Sequence, residues 1–184
     1  FIQLIGSRFQ HLMDYFEDEK KYAFQVERIL EYFSHEEVIA LTSNWWSNPI
    51  FNEKREILEA GFEAYFEETK AGYINAIKTI STEIEGVIRT AYFKDFGEKP
   101  TTREIQQYIT ALGEKKFSAV GSLGFPKLFQ NYLNESVFKG FDERTGEIPS
   151  SRHSFAHEVA KFENYTQIRA LQLLLTLDQI YCFL

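Results

Sequence analysis

Residues 148–157 concentrate the side chains of this chain that could carry out acid–base chemistry. Arg152, His153 and His157 lie within six residues, directly after Pro149 and two serines, which favour the start of a helix. An imidazole titrates near neutral pH, so it can take up or release a proton during a reaction. A guanidinium can hold a phosphate group through two parallel hydrogen bonds. The residue types therefore suit proton transfer beside a phosphate.

The spacing of these residues limits which of them can face one site. On a helix, His153 and His157 lie about 40° apart around the axis and share a face with Lys161. A separate apolar stripe would anchor the segment to the rest of the protein and comprises Phe155, Val159 and Phe162. Arg152 lies about 140° from His157. These two can converge on one group only if Arg152 sits in an irregular first turn, or if two copies of the segment meet across a dimer axis.

The elements that must position this segment are predicted to be helical. Apolar residues recur at three- and four-residue steps along most of the chain, and four prolines and ten glycines leave little room for a many-turned β-sandwich. The first amphipathic stripe comprises Ile2, Ile5, Phe9, Leu12, Met13 and Phe16. The pattern predicts an all-α protein with an up-and-down helical bundle.

Local signals predict where several helices begin and end. Residues 34–37 and 101–104 each have the sequence of a capping box, and Gly97 is the expected C-cap of the helix before the second one. One long apolar pattern runs over residues 52–91, where Gly72 can introduce a kink while the stripes before and after it stay in phase. The final helix, from about Tyr165 to Phe183, is apolar on nearly all sides and is therefore expected to be central and buried.

The residues of the first segment resemble a known motif. Arg152, His153 and His157 fit the pattern Arg–polar–x3–His, which resembles the signature of the HEPN superfamily. Residues 81–89 are similar to the early long helix of bacterial members, in which a Glu and an Arg one turn apart recur, as Glu85 and Arg89 do here. The resemblance covers roughly residues 55–184. We therefore expect a HEPN-like bundle over residues 51–184, with an N-terminal helical extension over residues 1–50.

The resemblance implies a metal-independent endoribonuclease that acts as a homodimer in a toxin–antitoxin, phage-defence or RNA-processing system. His157 would be the general base or acid, Arg152 would stabilise the phosphate and transition state, and His153 would orient the site or make the second proton transfer. The 2′-OH of single-stranded RNA would attack, giving a 2′,3′-cyclic phosphate and a 5′-OH. No cofactor is expected, and an antitoxin or upstream sensor domain is a possible partner.

Residues near the motif, and a residue pair on an earlier helix, are expected to affect how the motif residues act. Some two-gene toxin members carry a modifiable Tyr two residues after the motif His, where this chain has Val159, so that regulation is not expected. Glu158 places an anion beside His157, where it could raise the pKa of the imidazole or repel phosphate. Glu85 and Arg89 are interpreted first as an ion pair within one helix, and alternatively as support for Arg152 or His157.

The charge distribution restricts how the chain could bind nucleic acid. The net charge is −7, and the whole acidic excess lies in residues 1–100, which argues against a protein that coats nucleic acid non-specifically. The cations expected to guide RNA are few and are Lys115, Lys116, Lys127, Lys139, Arg144 and Lys161. This distribution favours a selective or partner-directed nuclease.

Other interpretations remain open at this point. Non-catalytic members of the superfamily serve as dimerisation or partner-binding modules, in which Arg152 and His157 would be structural. His153 and His157 also have a spacing that can bind zinc in a metal-assisted hydrolase, although no third ligand is evident. Residues 121–124 read as a plain turn before a Pro-led helix, with phosphate binding as the alternative. Trp45 and Trp46 form either an interaction patch or a tucked loop anchor.

The remaining composition indicates a globular protein of the cytoplasm. The chain of 184 residues has a single cysteine, Cys182, which cannot form an internal disulfide bond. The most apolar stretch, over residues 170–184, is interrupted by polar side chains and is too short to span a bilayer. We therefore expect no membrane partner.

Overall fold

The structure is a computed structural model that describes residues 29–117, 127–138 and 161–184. Within these ranges all regular structure is helical, so the prediction of an all-α bundle is confirmed. The α-helices are α1 (His35–Thr42), α2 (Pro49–Asn52), α3 (Arg55–Phe66), α4 (Lys70–Phe96), α5 (Thr102–Phe117), α6 (Lys127–Tyr132) and α7 (Gln167–Phe183). None of the helices in the described ranges combines the length and the apolar character needed to cross a membrane.

The long apolar pattern over residues 52–91 forms two helices, not one. α3 ends at Phe66, Glu68 adopts a left-handed φ of 52°, and the hydroxyl of Thr69 caps α4 by accepting a hydrogen bond from the Gly72 amide. The expectation of one continuous helix is therefore wrong. The chain folds back after Phe66, so the apolar stripes of the two helices pack against each other.

Contacts at three levels show that α3 and α4 are antiparallel. A Cβ on Gly72 would clash with the carbonyl oxygen of Ala64, and one on Gly61 would lie 3.2 Å from Ile80 Cγ1. At the far end, Lys54 Nζ lies 2.5 Å from Glu83 Oε2. Glycine at position 72 is thus required by the close approach of two backbones beside the turn, and it does not kink a helix.

The final helix is central, as its sequence predicts. Every residue from Ala170 to Ile180 is buried, including Gln172, Thr176 and Asp178. α7 packs along α4 and also contacts α3. The apolar surface on all sides of α7 is therefore explained by neighbours on more than one side.

The segment before α3 joins the same core. Phe33, Val38 and Ile50 belong to the main hydrophobic cluster, and Trp45 is fully buried within it. The Trp45 indole Nε1–H donates a hydrogen bond of 2.9 Å to Asp178 Oδ1 on α7. Of the two interpretations of the tryptophans, the tucked anchor is the one observed for Trp45. The boundary placed at residue 50 stays a prediction.

The predicted caps are present with one difference. Thr101 and Glu104 form a complete capping box, because each side chain accepts a hydrogen bond from the other residue's backbone amide. Gly97 ends α4 in the left-handed conformation, with φ of 75°. At α1, Ser34 accepts a hydrogen bond from the Glu37 amide, but its hydroxyl donates to the Glu36 carboxylate. Only half of that capping box therefore forms.

The stretch before α7 differs from its predicted helix. Lys161 has an extended backbone, with ψ of 150°, and precedes a 3-10 turn over Phe162–Asn164. Phe162 is 65% exposed, and the ammonium of Lys70 lies 4.5 Å from the centre of its ring. The predictions that Lys161 continues a helical face and that Phe162 anchors an apolar stripe are both wrong, since the chain is extended here and turns toward the start of α7.

Candidate functional site

The residues assigned to catalysis lie outside the residues that the structure describes. This holds for Arg152, His153, His157 and the neighbouring Glu158. It also holds for residues 1–28, for the turn at residues 121–124, and for Lys139 and Arg144 among the cations expected to guide RNA. Their roles stay predictions. The described residues offer a test of the surrounding scaffold and of two predicted supporting residues, Glu85 and Arg89.

Glu85 and Arg89 form a partly buried ion pair on α4. The guanidinium contacts Glu85 Oε1 through Nε and Nη2, each at 2.6 Å, and the side chain of Glu85 is only 12% exposed. Arg89 Nη1 also donates a hydrogen bond to the carbonyl oxygen of Pro100. The interpretation as an ion pair within one helix is confirmed. The pair also fastens α4 to the chain just before α5, which sequence spacing does not reveal.

The segment that Arg89 binds is followed directly by α5, which has one buried face and one polar face. On one face of α5, Ile105, Tyr108 and Ile109 are buried, and the hydroxyl of Tyr108 donates a hydrogen bond of 2.8 Å to Asp95 Oδ2. Burial, and then the Asp95 carboxylate, raise the pKa of Tyr108. This face is therefore fixed against α4. The other face carries polar side chains at positions i, i+3, i+4 and i+7, which are Arg103, Gln106, Gln107 and Thr110.

The polar face of α5 lines an open groove of about 470 Å³. The groove residues are Arg103, Gln106, Gln107, Thr110 and Ala111 from α5, and Asn134 from the turn that follows α6. Its volume lies within the range of roughly 300–1,000 Å³ that is typical of small-molecule sites. Among the described lining residues one carries a positive charge and none carries a negative charge. The described lining thus combines polar groups with the aliphatic parts of the same side chains, and it carries one positive charge.

Asn134 enters the groove from a π-helical turn, Leu133–Val137. The amide of Phe138 donates a hydrogen bond of 2.8 Å to the carbonyl oxygen of Leu133, five residues earlier. Such turns occur often at functional sites, because the wider ring changes the direction of the side chains. The Oδ1 atom of Asn134 is buried and has no hydrogen-bond partner. An unpaired buried acceptor costs free energy, so a hydrogen bond to this amide would be favourable.

The carboxylate that follows Arg103 in the sequence is already engaged in hydrogen bonds. The nearest carboxylate in sequence, Glu104, accepts hydrogen bonds of 2.7 Å from both the amide and the hydroxyl of Thr101. These bonds lower the pKa of Glu104, so the carboxylate stays ionised and engaged at the start of α5. Within the described part of the chain, Arg103 forms no ion pair. Its guanidinium is therefore available to an anion.

Two further predictions concern Lys161 and a bound metal ion. Lys161 is exposed, at the start of the 3-10 turn before α7, so it can meet a ligand in solution. In residues 29–117, 127–138 and 161–184, no three His, Cys, Asp or Glu side chains are grouped so that they could hold a metal ion.

The groove beside α5 was not predicted from the sequence. The polar residues at helical spacing, Arg103, Gln106, Gln107 and Thr110, are the sequence signal for it.

Comparison with known proteins adds no further support for any one function. No protein-family model, curated protein or solved structure matches this chain. The resemblance to the HEPN superfamily therefore depends on the Arg–polar–x3–His pattern and on the helical order around it. The all-α bundle is shown by the structure, whereas the HEPN type, the ribonuclease activity and the dimer stay predictions.

Proposed function

We propose that this chain is a metal-independent endoribonuclease of HEPN type that acts as a homodimer on single-stranded RNA in the cytoplasm. The observation that carries the proposal is the pattern Arg152–His153–x3–His157 in the sequence of an all-α protein. Support comes also from the buried apolar final helix and from Glu85 and Arg89 on the long helix before it. A toxin–antitoxin, phage-defence or RNA-processing role, with an antitoxin or sensor domain as partner, belongs to the same proposal.

The proposed reaction uses groups that RNA and these side chains provide. His157 removes the proton of the 2′-OH, and the 2′ oxygen attacks phosphorus while the bond from phosphorus to the 5′ oxygen breaks. A second imidazole, from His153 or from the partner subunit's motif, returns a proton to the 5′ oxygen. Arg152 stabilises the charge that develops on the phosphoryl oxygens. The products are a 2′,3′-cyclic phosphate and a 5′-OH.

The described helices are tied to one another at two points, which is compatible with a well-ordered site. Arg89 ties α4 to the start of α5, and Trp45 ties the chain before α3 to α7. Fixed helices hold reacting groups better than loops do, and displacements of about 1 Å can cost a large factor in rate.

The test is cleavage of labelled single-stranded RNA by the purified chain in EDTA. We expect cleavage that persists without divalent ions and falls about 10²–10⁴-fold in His157→Ala, the usual range for loss of a general acid or base. Arg152→Ala should lower the rate with little change in its pH optimum, because Arg does not titrate. His35→Gln is the matched control, since His35 is an exposed histidine that stacks on Phe66. Equal activity in His157→Ala and the unsubstituted chain would refute the proposal.

A second candidate is a non-catalytic dimerisation or partner-binding module. It is favoured by Phe93 and Phe96, which are 50% and 56% exposed at the end of α4. Exposed aromatic side chains are enriched at protein interfaces. If the chain forms a stable dimer without cleaving RNA, and Phe93→Asp disrupts that dimer, this candidate replaces the ribonuclease.

A further inference from the structure

We propose that the groove between α5 and the π-helical turn binds one unpaired nucleobase together with its adjacent phosphate. Gln106, Gln107 and Asn134 would hydrogen-bond the edge of the base, and Arg103 would hold the phosphate. The choice of RNA over other nucleotide ligands rests on the proposed function. The groove itself is argued from its own residues, and its test measures binding and not cleavage.

The side-chain chemistry of the groove matches a base edge better than it matches other ligands. An amide side chain carries both a carbonyl acceptor and NH₂ donors, so it can pair with the alternating donors and acceptors of a base. The lining includes three such amides, from Gln106, Gln107 and Asn134. Among the described lining residues, Ala111 is the one with a wholly apolar side chain, so these residues offer few contacts to a large apolar anchor of a peptide. A free inorganic anion would meet a single cation.

Asn134 supplies a separate observation that points to a ligand. Its Oδ1 is buried without a hydrogen-bond partner while the residue itself lines the groove. Rotation of the amide about χ2 exchanges Oδ1 and Nδ2, so either group can be presented to a base. A base that pairs with this amide would leave its oxygen hydrogen-bonded, and an unpaired buried acceptor is unfavourable.

The position of the groove favours an unpaired strand. Base edges of duplex RNA are already paired, whereas single-stranded bases offer their edges to protein side chains. A guanidinium can both stack on a base and hold a phosphate, which suits Arg103. The groove lies in the part of the chain that is electrically neutral, residues 101–184, and not in the acidic residues 1–100. The described residues that line the groove include no acidic side chain that would repel a strand.

Binding of a short fluorescein-labelled single-stranded RNA, followed by fluorescence anisotropy in EDTA, tests the proposal. The full chain with His157→Ala is used, so that the probe stays intact. We expect Arg103→Ala and Asn134→Ala each to raise Kd about tenfold, as for the loss of one bidentate contact. Asn134→Asp keeps the shape but adds a negative charge, and it should weaken binding further. Arg55→Ala removes the same charge from the exposed surface of α3 and should leave Kd unchanged.

Competition separates base recognition from attraction to phosphate. Nucleoside monophosphates should displace the RNA probe, and ribose 5-phosphate and inorganic phosphate should not. Equal weakening in Arg103→Ala and Arg55→Ala would overturn the proposal, as would unchanged binding in both Asn134 variants or equal competition by ribose 5-phosphate. A chain that binds through the groove but cleaves no RNA would contradict the ribonuclease and leave the groove proposal standing.

Discussion

α7 and α5 both carry polar side chains, and their surroundings give those side chains opposite roles. On α7 the polar groups are buried and tied to other helices, as in the Trp45–Asp178 bond and the contact of 3.3 Å between the hydroxyls of Tyr132 and Thr176. On α5, Arg103 and Gln107 are exposed beside an open groove. Polar residues in the core of this protein therefore fix its architecture, whereas those on α5 are available for binding.

The largest expected effect lies in the apolar part of α7. Leu174 is fully buried, so Leu174→Ala should lower the free energy of unfolding by about 2–5 kcal/mol through lost burial and a new cavity. Ile57→Ala is the control, because Ile57 is 51% exposed on α3 and should cost far less. Urea denaturation followed by circular dichroism measures both. Similar costs for the two variants would show that α7 is not the centre of the fold.

A smaller effect, dependent on pH, is expected at Asp178. Burial raises the pKa of its carboxyl from the usual 3.8 to about 6, although the bond from Trp45 opposes this rise, and Oδ2 has no partner. Between about pH 4 and pH 6, Asp178 is therefore more protonated in the folded state than in the unfolded state. Because the folded state binds this extra proton, the free energy of unfolding rises as the pH falls from about 6 toward about 4.

Asp178→Asn isolates this contribution, because the amide keeps an acceptor for Trp45 and carries no charge. We expect the variant to be more stable than the unsubstituted chain by about 2–3 kcal/mol near neutral pH, with the difference shrinking toward about pH 4. Denaturation curves of both proteins at several pH values give this difference directly. A variant that is less stable at neutral pH would mean that the charged carboxylate contributes a contact worth more than its burial costs.

The smallest effect is expected on the polar face of α5. Gln107→Ala should change the free energy of unfolding by no more than about 0.5 kcal/mol, because the side chain is exposed and lines the groove. Ile105→Ala, two residues earlier on the buried face, should cost several times more. Thermal denaturation of the two variants compares the faces within one helix. A large loss in Gln107→Ala would make the groove a structural contact.

The sequence predicted those elements whose signals are local. The capping box at Thr101 and Glu104 and the C-cap at Gly97 depend on residues within one turn, so they can be identified without knowing the fold. The break after Phe66 could not be found in this way, because both apolar stripes keep the same period across it. Phe162 was misplaced for a related reason: its apolar character fitted a helical stripe, but the chain is extended before it.

The features of the candidate site also differ in whether the sequence could predict them. The residue types of Arg152, His153 and His157 name a possible chemistry from the sequence alone, and the pairing of Glu85 with Arg89 follows from their spacing. The bond from Arg89 to the Pro100 carbonyl and the opening of the groove between α5 and Asn134 could not be predicted. Both depend on how separate helices are placed relative to each other.

The sequence by itself determined the helical class of this protein, the caps of its helices and the burial of its last helix, because these follow from periodicity and from contacts within about four residues. The tertiary structure alone decided that α3 and α4 fold back on each other and that Trp45 bonds to Asp178, 133 residues away along the chain. It also decided that one polar face of α5 stays open. Such pairings depend on the free energy of packing the whole core, which no local pattern contains.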